Sequence, residues 1–341
     1  MDPAARFLIT GAQGFLGRYL VQALLTSYPA ATVVGIGRSP STPEFFTHSL
    51  SLAGRSFRAP VPAYLRTTSD RYRYLALDLL DPTATRALAC EVEPDVVFHL
   101  ASGLRRDPVD RLMRSGIEAS VRLMEGLASL GTHRFRVVLC SSGAVYGAVP
   151  EHLLPITEDS PTRPVDLYGV SKLAVEHACR VLAEQHAVPV IYARLFNLVG
   201  PGQDERHVCG RFVAEAAAIS SGLKSPEMQT EALQDTRDFI DVRDCARALL
   251  LLAAAGLPGE TYNVASGVET GIASVLDIVL EQSGLRNRVT VVSRQCDGGI
   301  RRHYASTARI TRLGFQTERS LRESLKDIRD YYLEQLNGPK L

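Results

Sequence analysis

Three glycines at a three-residue spacing, Gly11-Ala12-Gln13-Gly14-Phe15-Leu16-Gly17, follow at once on the apolar run Phe7-Leu8-Ile9-Thr10. The run reads as a buried strand. Beyond it, Leu16, Leu20, Ala23 and Leu24 recur at helical spacing, so strand passes directly into helix. In such a unit Gly11 allows the tight turn, Gly14 lets the backbone approach a phosphate, and Gly17 permits close helix packing. The helix N-terminus, at Phe15 and Leu16, offers free N–H groups and a partial positive charge to a pyrophosphate. The spacing is G-x-x-G-x-x-G rather than G-x-G-x-x-G, and no Gly-Lys-Ser/Thr follows, so this is not a Walker loop. Three glycines alone are a weak signal and also fit a purely structural turn. Their place between a first strand and a first helix is what points to a dinucleotide.

The first half of the chain continues this alternation. Strands are expected at Ala31 to Ile36, Tyr74 to Leu77, Val96 to Leu100, Val137 to Cys140 and Val190 to Phe196. Strands apolar on both faces and separated by helices imply a parallel sheet covered on both sides. The expected fold class is therefore α/β, a Rossmann-like doubly wound parallel sheet with a smaller mixed α/β C-terminal substrate domain. Residues 1–196 form the cofactor-binding domain, rejoined by about 234–262, and 197–341 are mainly substrate-binding. Between Ser39 and Arg73 the spacing breaks, with Pro40, Pro43, Pro60, Pro62 and several Ser/Thr residues, and this stretch reads as a surface insertion. After residue 197 helices are expected from Gly210 to Gly222, Val242 to Ala255 and Leu321 to Leu336, with a β-like Val289-Thr290-Val291-Val292.

The 38 Lys+Arg residues balance 37 Asp+Glu, so no bulk field draws nucleic acid or an acidic membrane. No run approaches the ~18 apolar residues of a membrane span, and no secretory signal is visible. The six cysteines are scattered without a C-x-x-C pair, so no metal site is expected, and reduced thiols in the cytoplasm are the default.

An NAD-binding strand usually carries Asp or Glu about 20 residues after the last glycine. Here the second strand ends Gly35-Ile36-Gly37-Arg38-Ser39, without an acid. Arg38 is placed to clasp a 2′-phosphate, and Gly37 removes a side chain that would crowd it; a solvated arginine at a strand end is the plain alternative. NADP is therefore preferred, with NAD possible. Asp78 and Leu79 stand where the adenine would lie, although Asp78 also suits a strand-end cap. Leu100, Ala101 and Ser102 form a small-residue floor for a cofactor. His99, in the same apolar run, reads as a satisfied structural histidine rather than a base.

Tyr168 and Lys172 are four residues apart at the start of an expected helix, Tyr168 to His186, and share a face. An ammonium beside a phenol stabilises the phenolate form, which suits Tyr168 to exchange a proton with a carbonyl oxygen or an alcohol. Upstream, Ser142 follows the fifth strand at the same sheet edge, where its hydroxyl can hydrogen-bond the same oxygen. Tyr-x-x-x-Lys alone is common by chance; the three together are not.

Taken with Arg194-Leu195-Phe196-Asn197-x-x-Gly200-Pro201-Gly202, Arg237-Asp238-Phe239-Ile240-Asp241-Val242-Arg243-Asp244 and Tyr262-Asn263-Val264, these motifs resemble the extended short-chain dehydrogenase/reductase family. The likeness is to its nucleotide-sugar epimerase, dehydratase and reductase branch and spans nearly the whole chain. It implies an NAD(P)-dependent oxidoreductase with Ser142, Tyr168 and Lys172 as catalytic triad, and Ser142, Asn197 and Arg237 facing the substrate. A guanidinium fork at Arg237 suits a diphosphate. Family 4,6-dehydratases carry an acid just after the triad hydroxyl, where this chain has Gly143 and Ala144. Pro155-Ile156-Thr157-Glu158-Asp159 and Gly200-Pro201-Gly202-Gln203 look like the GDP-4-keto-6-deoxymannose reductases. The expected activity is NADP(H)-dependent reduction of a keto group on a nucleotide-linked deoxysugar. An NAD-dependent nucleotide-sugar 4-epimerase and a non-catalytic NADP(H)-binding protein are the alternatives. Many relatives carry Arg-Pro-x-Asp where this chain reads Cys296-Asp297-Gly298-Gly299, which leaves Arg301 or Arg302 to reach a phosphate. The helices Val109 to Leu130 and Tyr168 to His186 are expected to pair across a homodimer axis, as in the family.

Overall fold

Seven parallel strands make the central sheet of the computed structural model, which describes residues 2–67, 69–131, 134–294 and 299–337. The segment Cys296-Asp297-Gly298 lies outside the described residues. In spatial order the strands are Thr261–Val264, Val190–Leu195, Arg136–Ser142, Val96–His99, Arg6–Thr10, Thr32–Gly37 and Tyr72–Ala76. The chain runs outward from Arg6–Thr10 to Tyr72–Ala76 and then returns to Val96–His99 on the other flank. Strand order thus reverses between Arg6–Thr10 and Val96–His99, and the carboxyl ends there open a crevice.

Both faces of the sheet are buried because alternate residues point to opposite sides. Phe7 and Ile9 join the core that holds helices Phe15–Ser27 and Val242–Ala255. Leu8 joins the opposite core, with helices Pro82–Val92, Ala119–Ala128 and Leu167–His186. Ahead of Ala119 the helix opens into a wide π turn, Met113–Glu118, after Val109–Leu112, so the expected unbroken helix is interrupted.

Helices Val208–Ser220, Ile272–Gln282 and Leu321–Asn337 pack on one another, and this half of the chain adds short strand pairs. Arg302–His303 runs beside Thr236–Arg237, and Phe239–Asp241 beside Asn197–Val199. These pairs carry chain from the smaller part back to the rim of the large sheet.

The stretch from Ser39 to Arg73 corrects the sequence reading. It is a β-hairpin, Phe45–Leu52 against Arg55–Pro60, and it contributes Phe46, Leu50, Leu52, Ala59, Val61 and Leu65 to the buried core. Its turn uses Ala53 and Gly54 at φ 51° and 79°. The hairpin also touches the smaller part: His48 Nε2 bonds the Gly202 carbonyl at 2.7 Å, and Glu205 accepts from the Ser51 amide at 2.6 Å.

Candidate active site

The seam between Arg6–Thr10 and Val96–His99 is held at backbone level by the glycine turn. Gly11 has φ 73°, and a Cβ there would lie 3.1 Å from the Ala101 nitrogen. A Cβ on Gly17 would lie 2.3 Å from the Gly11 carbonyl oxygen, which cannot yield. Gly14 caps helix Phe15–Ser27 with no side-chain bond, and the first turn holds no acidic residue. The first N–H groups of that helix, at Phe15 and Leu16, are therefore unblocked. A tight turn, unblocked amides and half-buried Leu100, Ala101 and Ser102 alongside fit a dinucleotide pyrophosphate. Leu79 is buried, and exposed Asp78 accepts from the Leu80 amide at 3.1 Å, which makes it a turn brace.

Arg38 is exposed and bonds no described residue. The room left by Gly37 is not vacant space for a phosphate, as the sequence suggested. A Cβ there would lie 2.8 Å from the Tyr74 hydroxyl, which donates to the Ser39 carbonyl at 2.8 Å. A phenol from the edge strand thus stands where NAD-binding strands carry an acid.

Both ring nitrogens of buried His99 are engaged, Nδ1 with Thr10 Oγ1 and Nε2 with Ser120 Oγ, each at 2.8 Å. Burial first, and then the Lys172 charge, push its pKa down to about 3. Ser120 Oγ donates to the Gly116 carbonyl, so Nε2 carries the proton and Nδ1 accepts. His99 is a brace between strand and helix.

Helix Leu167–His186 begins at Asp166, whose carboxylate accepts from the Gly169 amide at 2.7 Å. Gly169 has no side chain because a Cβ would lie 2.7 Å from the Ala144 carbonyl oxygen. That close approach sets Tyr168 beside the loop that follows Ser142. Lys172 is buried, donates to the Cys140 carbonyl at 3.0 Å and sits 5.9 Å from the Tyr168 ring centroid. Ser142 ends its strand, and its Oγ accepts from the Ala144 amide at 3.2 Å. The fold therefore brings Ser142, Tyr168 and Lys172 to one strand end.

Two neighbours went unnoticed in the sequence. Arg105 lies over the Tyr168 ring, 5.3 Å from its centroid, and pairs with Asp166. It stands on an irregular loop just past strand Val96–His99, and only that position signals it. His303 enters from the smaller part, lies tilted against the Phe196 ring with centroids 5.1 Å apart, and bonds the Gly143 carbonyl at 3.2 Å. A Cβ on Gly143 would lie 3.1 Å from the Phe196 ring and 3.2 Å from His303 Cε1. Of the two positions where dehydratases carry an acid, Gly143 and Ala144, the first is thus faced by two rings. Burial first, then the nearby Arg237 charge, lower the His303 pKa to about 4.

Farther out, Asn197 Nδ2 donates to the Asp238 carbonyl at 2.8 Å. The Asp238 carboxylate is fully buried and gathers the Ser266 amide and hydroxyl and the Gly267 amide. Arg237 donates to the Thr236 carbonyl at 2.7 Å and pairs with Asp235 at 3.2 Å, and burial lowers its pKa. Arg301 is exposed and 4.0 Å from Asp235, whereas Arg302 forks onto Glu269 at 2.7 and 2.8 Å. Arg237 and Arg301 thus flank the Asp235 carboxylate, and the Arg237 charge also reaches His303, whose ring bonds the Gly143 carbonyl next to Ser142. Among the described residues no group of three or more His, Cys, Asp or Glu is placed to hold a metal ion.

Comparison with known proteins agrees with this geometry. GDP-6-deoxy-D-mannose reductase of Pseudomonas aeruginosa is 29% identical over 330 residues, 95% of each chain. UDP-glucose 4-epimerase of Mycolicibacterium smegmatis is 29% identical over 271 residues, 78% of each chain. The solved structure of RMD from Pseudomonas aeruginosa complexed with NADPH superposes with a TM-score of 0.77 at 27% identity, covering 97% of this chain and 100% of that one. The family model for NAD dependent epimerase/dehydratase proteins matches residues 7–265, and the chain belongs to that family.

Proposed function

We propose that the protein is an NADP(H)-dependent reductase of a keto group on a nucleotide-linked deoxysugar. The observation that carries this reading is the meeting of a hydroxyl, a phenol and a buried ammonium at a strand end beside a dinucleotide turn whose acid position is filled by Tyr74. Gly11, Gly14, Phe15, Leu16, Gly17, Leu100, Ala101 and Ser102 would hold the cofactor, with Asp78 and Leu79 toward its adenine and Arg38 toward its 2′-phosphate. When bound, the cofactor supplies the hydride.

The chain's own residues handle the proton. Ser142 Oγ orients the ketone oxygen by a hydrogen bond. Tyr168 gives its hydroxyl proton to that oxygen as negative charge develops there. The Lys172 ammonium, 5.9 Å from the ring centroid, and the Arg105 guanidinium, 5.3 Å from it, set positive charge beside the phenol as its proton leaves. Asn197, Arg237 and Arg301 would face the nucleotide part of the substrate. The walled Gly143 leaves no side chain to move the proton that water elimination requires, which argues against a dehydratase.

The chain divides, in this reading, into a cofactor domain of residues 1–196, rejoined by about 234–262, and a substrate domain of 197–341. Val109, Val170 and Val181 are exposed on the helices expected to pair, which supports a homodimer. Five described cysteines are free, which supports a reducing, cytoplasmic setting. Among the described residues no helix is long and apolar enough to cross a membrane.

NADPH oxidation against a panel of nucleotide-linked 4-keto-6-deoxysugars tests the reading. A 4-epimerase, favoured by the likeness to the Mycolicibacterium smegmatis enzyme, would instead purify with bound NAD+ and consume no cofactor. Size exclusion with light scattering tests the dimer.

A further inference from the structure

Behind the glycine turn, on the side of the sheet that carries helix Phe15–Ser27, lies a cavity of about 200 Å³. Gln13, Arg18, Ser41, Pro43, Tyr72 and Tyr74 line it. Arg18 is 5% exposed, and among the described residues no carboxylate pairs with it. One end of its guanidinium, Nη2, braces the hairpin by donating to the Thr42 and Phe45 carbonyls. Its Nε–H has no partner. The Tyr72 hydroxyl is also buried without a partner. Burial holds that phenol at about 12, so it remains a donor, and burial lowers the Arg18 pKa, as an uncompensated charge requires.

Buried polar groups are nearly always bonded, and buried charges nearly always paired. A cation and two idle donors around one cavity, with no acid lining it, therefore describe a receptor for an anion. The side chain of Gln13 is fixed at the cavity wall: its Oε1 accepts from Arg18 Nη2 at 3.3 Å and from the Thr42 amide and hydroxyl at 2.8 and 2.6 Å, and its Nε2 donates to the Pro40 carbonyl at 3.4 Å. The strand beneath is shaped for the phenols: a Cβ on Gly35 would lie 2.7 Å from the Tyr72 hydroxyl, and one on Gly37 2.8 Å from that of Tyr74. A tetrahedral oxyanion matches donors that converge from several directions. The cavity shares Gln13 with the glycine turn and, through Tyr74, touches Ser39 at the end of the second strand.

We propose that this cavity is a phosphoryl-group site, that its occupant is the 2′-phosphate of NADP(H), and that Arg18 and Tyr72 select the cofactor more than exposed Arg38 does. The inference rests on the NADP(H) reading above. Free phosphate has the same chemistry, and the test separates the two sources.

The perturbation is Tyr72→Phe, which removes one unbonded hydroxyl and leaves the ring packing in place; Arg18→Lys is the second variant, keeping charge but not the guanidinium geometry. NADPH and NADH affinities are measured by calorimetry on the purified protein, and the response to inorganic phosphate by thermal unfolding. The parent chain should bind NADPH more tightly than NADH, and Tyr72→Phe should cut that preference about tenfold or more while leaving NADH affinity within twofold. Phosphate should raise the Tm of the parent chain and not that of Tyr72→Phe. Phosphate that competes with NADPH but not with NADH identifies the 2′-phosphate as occupant. Phosphate that stabilises without competing identifies a free-anion site. A parent chain that prefers NADH overturns the cofactor reading, and the phosphate response alone then decides the cavity. An unchanged NADPH preference together with an unchanged or absent phosphate response in both variants overturns the inference.

Discussion

Replacing Tyr168 by Phe separates chemistry from architecture. The Tyr168 hydroxyl bonds no described residue, and the half-buried ring has Lys172 Nζ 5.9 Å and the Arg105 guanidinium 5.3 Å from its centroid. Phe keeps that ring, so folding stability should move by less than about 0.5 kcal/mol. The proton donor is lost, however, and positioned proton transfer contributes roughly 10²–10⁴-fold, or about 2.7–5.4 kcal/mol at ~1.36 kcal/mol per decade. Turnover followed by NADPH oxidation at saturating keto-sugar nucleotide should fall by at least about 10²-fold. The urea midpoint should stay put, and NADPH affinity should stay within a few-fold. Near-normal turnover in a folded, NADPH-binding variant would remove Tyr168 from the mechanism. A loss of stability would mean that the hydroxyl braces the fold.

Other perturbations probe the supports of the site. Gly17→Ala places a Cβ 2.3 Å from the Gly11 carbonyl oxygen and 2.7 Å from that of Ala12, so it should abolish cofactor binding by calorimetry, and retained binding would refute the tight-turn argument. Arg194 and Glu176 form a buried fork at 3.0 and 2.8 Å, and Glu176→Gln should lower stability to urea by roughly 3–5 kcal/mol, because it leaves a guanidinium buried without its counter-charge. His303, whose folded pKa of about 4 lies below the unfolded value near 6.5, stays neutral in the fold while the unfolded imidazole protonates. Stability should therefore be full above about pH 6.5 and fall by up to roughly 3 kcal/mol as pH drops toward 4. His303→Gln should flatten that part of the Tm-against-pH curve, and an unchanged slope would assign the acid sensitivity to other groups.

The parts legible in the sequence are those that depend on short-range spacing. The glycine turn, the Tyr168–Lys172 pair and the strand-end position of Ser142 each follow from local periodicity, and each stands at the carboxyl end of a strand of the large sheet or on the helix packed against one. The hairpin Phe45–Leu52 and Arg55–Pro60 did carry a period-two signal in Phe46, Leu50 and Leu52. Flanking prolines and an Ala-Gly turn, in place of Asn-Gly, hid it. Arg105, His303 and Arg18 were invisible for a different reason. Each acts through contacts far apart in sequence, and an arginine on an amphipathic helix looks the same whether it faces water or a closed cavity.

Two vacant side chains narrow the chemistry more than the residues that are present. The family runs elimination, epimerisation and reduction on one scaffold, so the triad alone does not choose among them. Elimination of water needs a proton-transferring side chain beside the triad hydroxyl. At Gly143 that space is bounded by the Phe196 and His303 rings at 3.1 and 3.2 Å, so an acid could enter only if both moved. Epimerisation through a retained NAD benefits from a carboxylate gripping the ribose hydroxyls. At Gly37 the Tyr74 hydroxyl stands 2.8 Å from where that side chain would begin, and a phenol bonded to Ser39 carries no charge to hold a diol. What the site does offer at that end is cationic: Arg38 in solvent and Arg18 behind the turn. Positive charge there favours a phosphorylated ribose, and the phosphorylated dinucleotide is the one a net reduction consumes and exchanges. The reductase reading therefore follows from what neighbouring rings exclude at Gly143 and Gly37 as much as from Tyr168 itself.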